Sequence, residues 1–143
     1  DRYDFSIGIM TMYTLGVRFS FMIKHSVVRW PIGGPIRWLG GIPINRSAAH
    51  GVVQQVADEF SRAERLIIAI TPEGTRSRAG VPVLQWKRGF YHIASRAGVP
   101  IAPIYVSYTH RRVVFGKAFF PTGDFQSDME EVQLFYDHNS RVE

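Results

Sequence analysis

Arg65-Leu66-Ile67-Ile68-Ala69-Ile70-Thr71-Pro72-Glu73-Gly74-Thr75-Arg76 decides how this chain is read. The first six residues are a nearly unbroken apolar run, the pattern of a strand buried on both faces in a parallel sheet. Pro72 cannot donate to a ladder, and Gly74 permits backbone angles closed to other residues. The strand is therefore expected to stop there and to present Glu73, Thr75 and Arg76 together. Open α/β sheets bind their ligands at that carboxyl end. Taken alone, the same residues also fit an ordinary Pro-Glu-Gly turn.

Working outward, Phe5–Gly16 has helical spacing that Gly16 can end, and Arg18–Lys24 reads as a strand. Residues 26–39 are broken by Pro31, Gly33, Gly34 and Pro35, which predicts two short helical pieces. Residues 40–46 form a short strand with a glycine entry, and Ser47 is the expected N-cap of the helix that follows. That helix, Ala48–Ala63, carries Val52, Val53, Val56 and Phe60 as one apolar stripe. Tyr91–Ala97 is a helix closed by Gly98. Ile104–Ser107 and Arg111–Phe119 are strands, with Gly116 a weak point, and Asp128–Tyr136 has helical spacing. This alternation predicts a single α/β domain over residues 1–143, with a mostly parallel central sheet flanked by helices. Residues 122–143 are expected as an acidic C-terminal helical tail.

The composition narrows the classes. A chain of 143 residues with 45% hydrophobic content is long enough for one domain with a real core and too short for two. It has no cysteine, which excludes disulfides and thiolate metal ligands. No His/Asp/Glu pair has useful ligand spacing, so no metal site is expected. Residues 1–112 hold 15 Lys/Arg against 6 Asp/Glu, whereas residues 113–143 hold 2 against 6. A basic body suits an anionic partner or a merely solvated surface. Scattered basic residues without an aromatic-plus-basic motif argue against nucleic acid. The longest apolar stretch, Phe5–Val17, is too short to span a bilayer, which takes about 20 residues. It also lacks the small-residue cleavage site of a signal peptide.

Four blocks line up along the chain: Asp4-Phe5, residues 41–46 (Gly-Ile-Pro-Ile-Asn-Arg), residues 71–76 (Thr-Pro-Glu-Gly-Thr-Arg) and residues 99–103 (Val-Pro-Ile-Ala-Pro). In order and spacing they resemble the glycerolipid acyltransferase superfamily, best known from the lysophosphatidic acid acyltransferases. Three blocks are intact, and the resemblance runs to about Pro121. The first block departs. If Asp4 is the family's aspartate, the histidine paired with it falls just before Asp1. None of His25, His50, His92, His110 or His138 has an Asp five residues on. The expectation is a domain that lacks its N-terminal segment, active only in a chain that carries the histidine.

The resemblance implies acyl transfer from acyl-CoA or acyl-carrier protein to the hydroxyl of a lysophospholipid or related glycerol phosphate. It implies no cofactor, and a peripheral place on the cytoplasmic face of a membrane. Such chemistry wants a base at the hydroxyl and donors at the oxyanion. Asp4 would orient the histidine, a role that leaves room for its serving as a helix N-cap. Arg46 would clamp the acceptor phosphate, its planar fork matching phosphate oxygens. A surface ion pair is the alternative. Glu73, Gly74 and Thr75 would meet the acceptor, with Arg76 a second phosphate contact, or the carboxylate and the arginines form a structural ion pair. Pro100 and Pro103 would wall the acyl or thioester pocket or only stiffen a strand entry, and Lys24 and Lys87 are looser candidates for the carrier's phosphates. The tryptophans and arginines at 29–38 suit a bilayer interface, an acyl slot or plain core packing. A non-catalytic basic module for anionic lipid, or a thioesterase-like hydrolase, is the competing reading.

Overall fold

Three strands build the sheet that the apolar run was expected to enter. In the computed structural model, residues 14, 16–28, 31, 33–47, 51–72, 82–107 and 109–141 are described. The chain divides into two compact units, Asp1–Ile70 and Thr71–Glu143.

In the first unit, β1 (Ser20–Lys24) lies between β2 (Gly41–Ile44) and β3 (Ile68–Ala69), all parallel. Phe21 pairs with Gly41 and Lys24 with Ile44, while Ser20 and Phe21 pair with Ile68 and Ala69. A 3-10 turn (His25–Val27) and a short helix α1 (Gly33–Trp38) connect β1 to β2, as the two expected helical pieces. Gly40 turns α1 into β2 at φ 93, and a Cβ there would sit 2.7 Å from the Phe19 carbonyl oxygen. Only glycine fits that approach. A Cβ on Gly41 would meet Ile36 Cγ2 at 2.6 Å, so α1 lies on the face that Gly41 and Pro43 share. Ile42 and Ile44 face the other way and are buried.

Helix α2 (Val52–Arg62) follows β2, with Val56 fully buried and Ala57 beside it. The chain steps from β1 to β2 and then returns past β1 to β3. Right-handed crossovers, the rule for parallel strands, therefore place α1 and α2 on opposite faces. Two expectations are corrected here. The α2 N-cap is Gly51, with no side-chain cap bond, while the Ser47 hydroxyl is spent on Asn45. The run at 65–70 gives only a two-residue strand, paired with β1 alone among the described residues, and Ile67 is 55% exposed. An apolar run does not itself say which edge a strand occupies. The expected helix at 5–16 lies outside the described residues, apart from Thr14 and the positive-φ Gly16.

The second unit has helix α3 (Gly89–Ala97), closed by Gly98 at φ 66, strands β4 (Ile104–Ser107) and β5 (Arg112–Phe115), and helix α4 (Phe125–Arg141). β4 and β5 pair antiparallel, so the parallel arrangement belongs to β1–β3 and not to this ladder. The strand expected to reach Phe119 ends at Phe115. Gly116 N–H still donates to the Pro103 carbonyl at 2.8 Å, and Phe119 returns as a separate bridge to Ile101. The core gathers Val83, Trp86, Tyr91, Phe125, Met129 and Val132, with Phe90 and Tyr136 against it. Trp86 and Tyr91 meet Tyr136 and Phe125 edge-to-face, each at 5.2 Å. The apolar side of the acidic C-terminal segment thus supplies half of this core.

Candidate functional site

Arg46 follows the carboxyl end of β2 in a turn that other residues hold. The Asn45 carboxamide oxygen accepts from the Ser47 N–H at 3.0 Å and from its hydroxyl at 3.1 Å. This Asx turn leaves Arg46 at the exposed tip. Gln55 of α2 clamps the same residue twice. Its Oε1 accepts from Asn45 N–H at 3.0 Å, and its Nε2 donates to the Asn45 carbonyl at 2.8 Å. Among the described residues no side chain pairs with Arg46. The neighbours' bonds fix the backbone on either side of Arg46, and its side chain is exposed. Sequence reasoning placed Arg46 at a strand end but missed Gln55. An uncharged amide near the start of α2 was the available signal.

Lys24 ends β1 opposite Ile44, so Lys24 and Arg46 stand at the same carboxyl edge of adjacent strands. Strand order β2-β1-β3 makes the β1/β3 boundary the point where the chain reverses direction across the sheet, the usual ligand crevice of such folds. Asp4 of the first block, and Glu73, Gly74, Thr75 and Arg76 of the third, lie outside the described residues.

In the second unit, Lys87 N–H donates to the Pro72 carbonyl at 3.2 Å, which ties Lys87 to the residue preceding Glu73. Its side chain is exposed, while its neighbour Arg88 stacks 4.5 Å over the Phe125 ring. Pro103 is buried and lines an open groove of about 310 Å³ with Phe119, Val132, Leu134 and Phe135, with Lys117 and Glu131 at its rim. Gly116 makes that groove possible, since a Cβ there would stand 3.1 Å from Pro103 and 3.2 Å from Phe135. Pro100 is exposed and is not part of this lining. The two prolines read as one wall do not act as one.

Perturbed titration appears at a different place. Burial raises the Tyr91 hydroxyl, and the Asp128 carboxylate beside it raises it further. Burial also pushes the Asp128 carboxyl up. The hydrogen bonds it accepts from Tyr91 at 2.6 Å and from Thr122 N–H and hydroxyl, each at 2.8 Å, outweigh this and hold it below the usual carboxylate range. Asp124 caps α4 by accepting from Ser127 N–H. Apart from Tyr91 of α3, every partner here belongs to the entry into α4, so this network builds the helix start and ties it to α3.

The family model described as Acyltransferase matches residues 3–107. The chain belongs to the acyltransferase family. That match contains all four sequence blocks, and curated relatives support the glycerolipid superfamily they resemble. One relative is the 1-acyl-sn-glycerol-3-phosphate acyltransferase of Escherichia coli, 40% identical over 94 residues, covering 63% of this chain and 38% of that protein. The enzyme of that name from Haemophilus influenzae is 37% identical over 117 residues, or 79% of this chain and 47% of that protein. The human 1-acyl-sn-glycerol-3-phosphate acyltransferase beta is 37% identical over 93 residues, or 63% and 33%. This acyltransferase-family chain spans half or less of the length of these relatives. No solved structure matches it.

Proposed function

We propose that the protein transfers a fatty acyl group from a thioester to the free hydroxyl of a lysophospholipid-type acceptor, a 1-acylglycerol phosphate. The observation that carries this reading is the Arg46 turn: an exposed arginine, in a turn whose backbone Asn45 and Gln55 hold, at the carboxyl end of a parallel strand. A guanidinium so placed suits an acceptor phosphate and has no task if water is the acceptor. The relatives' names support the same acceptor class.

In the chemistry proposed, the acceptor hydroxyl attacks the thioester carbonyl while a histidine takes its proton. Asp4 orients that histidine, as the family pattern implies, and backbone or side-chain donors hold the oxyanion. The C–S bond then breaks, and the departing thiolate takes the proton from the imidazolium. The thioester itself supplies the activated leaving group, so the reaction calls for no resident cofactor. Coenzyme A and acyl-carrier protein both present such a thioester. Glu73, Gly74, Thr75 and Arg76 are assigned to the acceptor, with Lys24 and Lys87 toward the carrier's phosphates. The product and acceptor are membrane lipids, which supports a peripheral position for the working protein, assigned here to the cytoplasmic face of a membrane.

The test follows thiol release by the full-length gene product supplied with acyl-CoA, with and without 1-acylglycerol phosphate. Release that depends on the acceptor is expected. Release at the same rate without acceptor makes the protein a hydrolase, and vesicle binding without release makes it a lipid-binding module.

A further inference from the structure

Helix α1 turns its side chains in two directions. Ile36 packs onto β2 at Gly41. Two residues on, about 200° around the helix, Trp38 is 86% exposed, and Leu39 beside it is 45% exposed. Arg37 and Pro35, which precede them, are exposed as well. A single apolar side chain in water needs no explanation, but a tryptophan, a leucine and an arginine on one protruding turn form the set found at bilayer interfaces. Phe21, Ile23 and Pro43, on the α1 side of the sheet, are only half-buried, whereas Ile42 and Ile44 on the α2 side are buried.

The first unit is also one-sided in charge along its sequence. No Asp or Glu occurs between Asp4 and Asp58, a span that holds Arg18, Lys24, Arg29, Arg37 and Arg46. Arg37 on α1 and Arg18, next to the Phe19 that Gly40 approaches, are both exposed, whereas Lys24 and Arg46 stand at the other, carboxyl edge of the sheet. The acids Asp58 and Glu59 sit on α2, on the opposite face, and are locally engaged. Gln54 donates to Asp58 at 2.6 Å, and Arg62 pairs with Glu59 at 3.3 Å. Among the described residues no helix is long and apolar enough to cross a membrane. The tip of α1 is therefore apolar, with Arg37 on the same turn and Arg18 beside it, in a stretch of sequence, residues 5–57, that holds no acid.

The geometry points to this face as a docking surface for an anionic phospholipid bilayer. Trp38 and Leu39 enter the interfacial layer, and Arg37 and Arg18 meet the lipid phosphates. This goes beyond the proposed acyl transfer, because it names the surface that holds the protein on its substrate's membrane, and its readout does not require turnover.

The full chain is sedimented with phosphatidylcholine vesicles with and without phosphatidylglycerol. Wild-type protein is expected to bind the anionic vesicles preferentially and to be released by salt. Trp38→Ala should weaken binding roughly tenfold or more, with an unchanged far-UV spectrum because the side chain stands in solvent. Arg37→Glu should remove the preference for phosphatidylglycerol. Turnover of a short-chain, water-soluble acceptor should be the same in Trp38→Ala and wild type. Equal vesicle binding by wild type and Trp38→Ala overturns the inference. So does lipid-free self-association that Trp38→Ala abolishes, which would assign the patch to a second copy. Vesicle binding through Trp38 by a protein with no transferase activity leaves this surface standing and defeats only the acyl-transfer reading.

Discussion

The two units spend their polar groups in opposite ways. In the first, Asn45, Ser47 and Gln55 bond to one another and to backbone, and they leave the Arg46 guanidinium facing solvent. In the second, Asp128 accepts from Tyr91 and twice from Thr122, and Tyr91 in turn accepts from Gly123 N–H. The first arrangement holds a charge ready for something else. The second consumes a charge to start a helix. Perturbed titration alone would point to Asp128, whose oxygens are already taken up by Tyr91 and Thr122.

The contrast can be tested by stability first. Met129, fully buried among the rings of the second unit, should cost about 2–5 kcal/mol when changed to Ala, read by urea unfolding. Val56→Ala, at the buried centre of α2, should cost less, about 1–3 kcal/mol. If Val56→Ala proves the costlier change, the order expected from the volume of side chain removed is reversed. Gly40→Ala should also cost about 1–3 kcal/mol, because its Cβ would strike the Phe19 carbonyl and its φ is positive.

Asp128 gives a pH signature. Its folded carboxyl titrates below the ordinary carboxylate range, so its contribution to stability is present above the unfolded value. That contribution is lost as pH falls through the lower, folded value. Wild-type unfolding free energy should therefore drop on acidification in the region below about pH 4. Asp128→Asn should flatten that part of the curve and lower stability near neutrality. An unchanged acid limb would show that the Tyr91–Asp128–Thr122 bonds do not hold α4.

The smallest effect sharpens the functional side. Gln55→Ala removes both bonds to Asn45 without touching Arg46. It should raise the acceptor KM roughly twofold to tenfold, the equivalent of one or two ordinary hydrogen bonds, and leave the thioester KM unchanged. A change in both would mean that Gln55 supports the fold generally.

Much of this was legible in the sequence. β1, β2, α3 and the glycine ends at Gly40 and Gly98 follow from local chemistry, because φ-permissive residues and apolar spacing act over a few positions. The antiparallel β4–β5 pairing was not legible, since Ile104–Ser107 reads the same in either direction of pairing. Nor was the edge position of β3, because Arg65–Ile70 is apolar whether or not a neighbour covers it. The motif blocks gave Arg46 and the family. They could not give Gln55, whose role depends on α2 returning over the end of β2, ten residues on. Pro100 and Pro103 show the same limit, since proximity in sequence did not put both on one wall.

The direct test of the account is Arg46→Ala, assayed in the full-length protein with each substrate varied in turn. Loss of a charge-assisted phosphate contact, about 1.5–3 kcal/mol, should lower kcat/KM for 1-acylglycerol phosphate by roughly tenfold to a hundredfold. The thioester KM should stay within about twofold. An equal fall for both substrates, or none for the acceptor, would contradict the assignment of Arg46 to the acceptor phosphate.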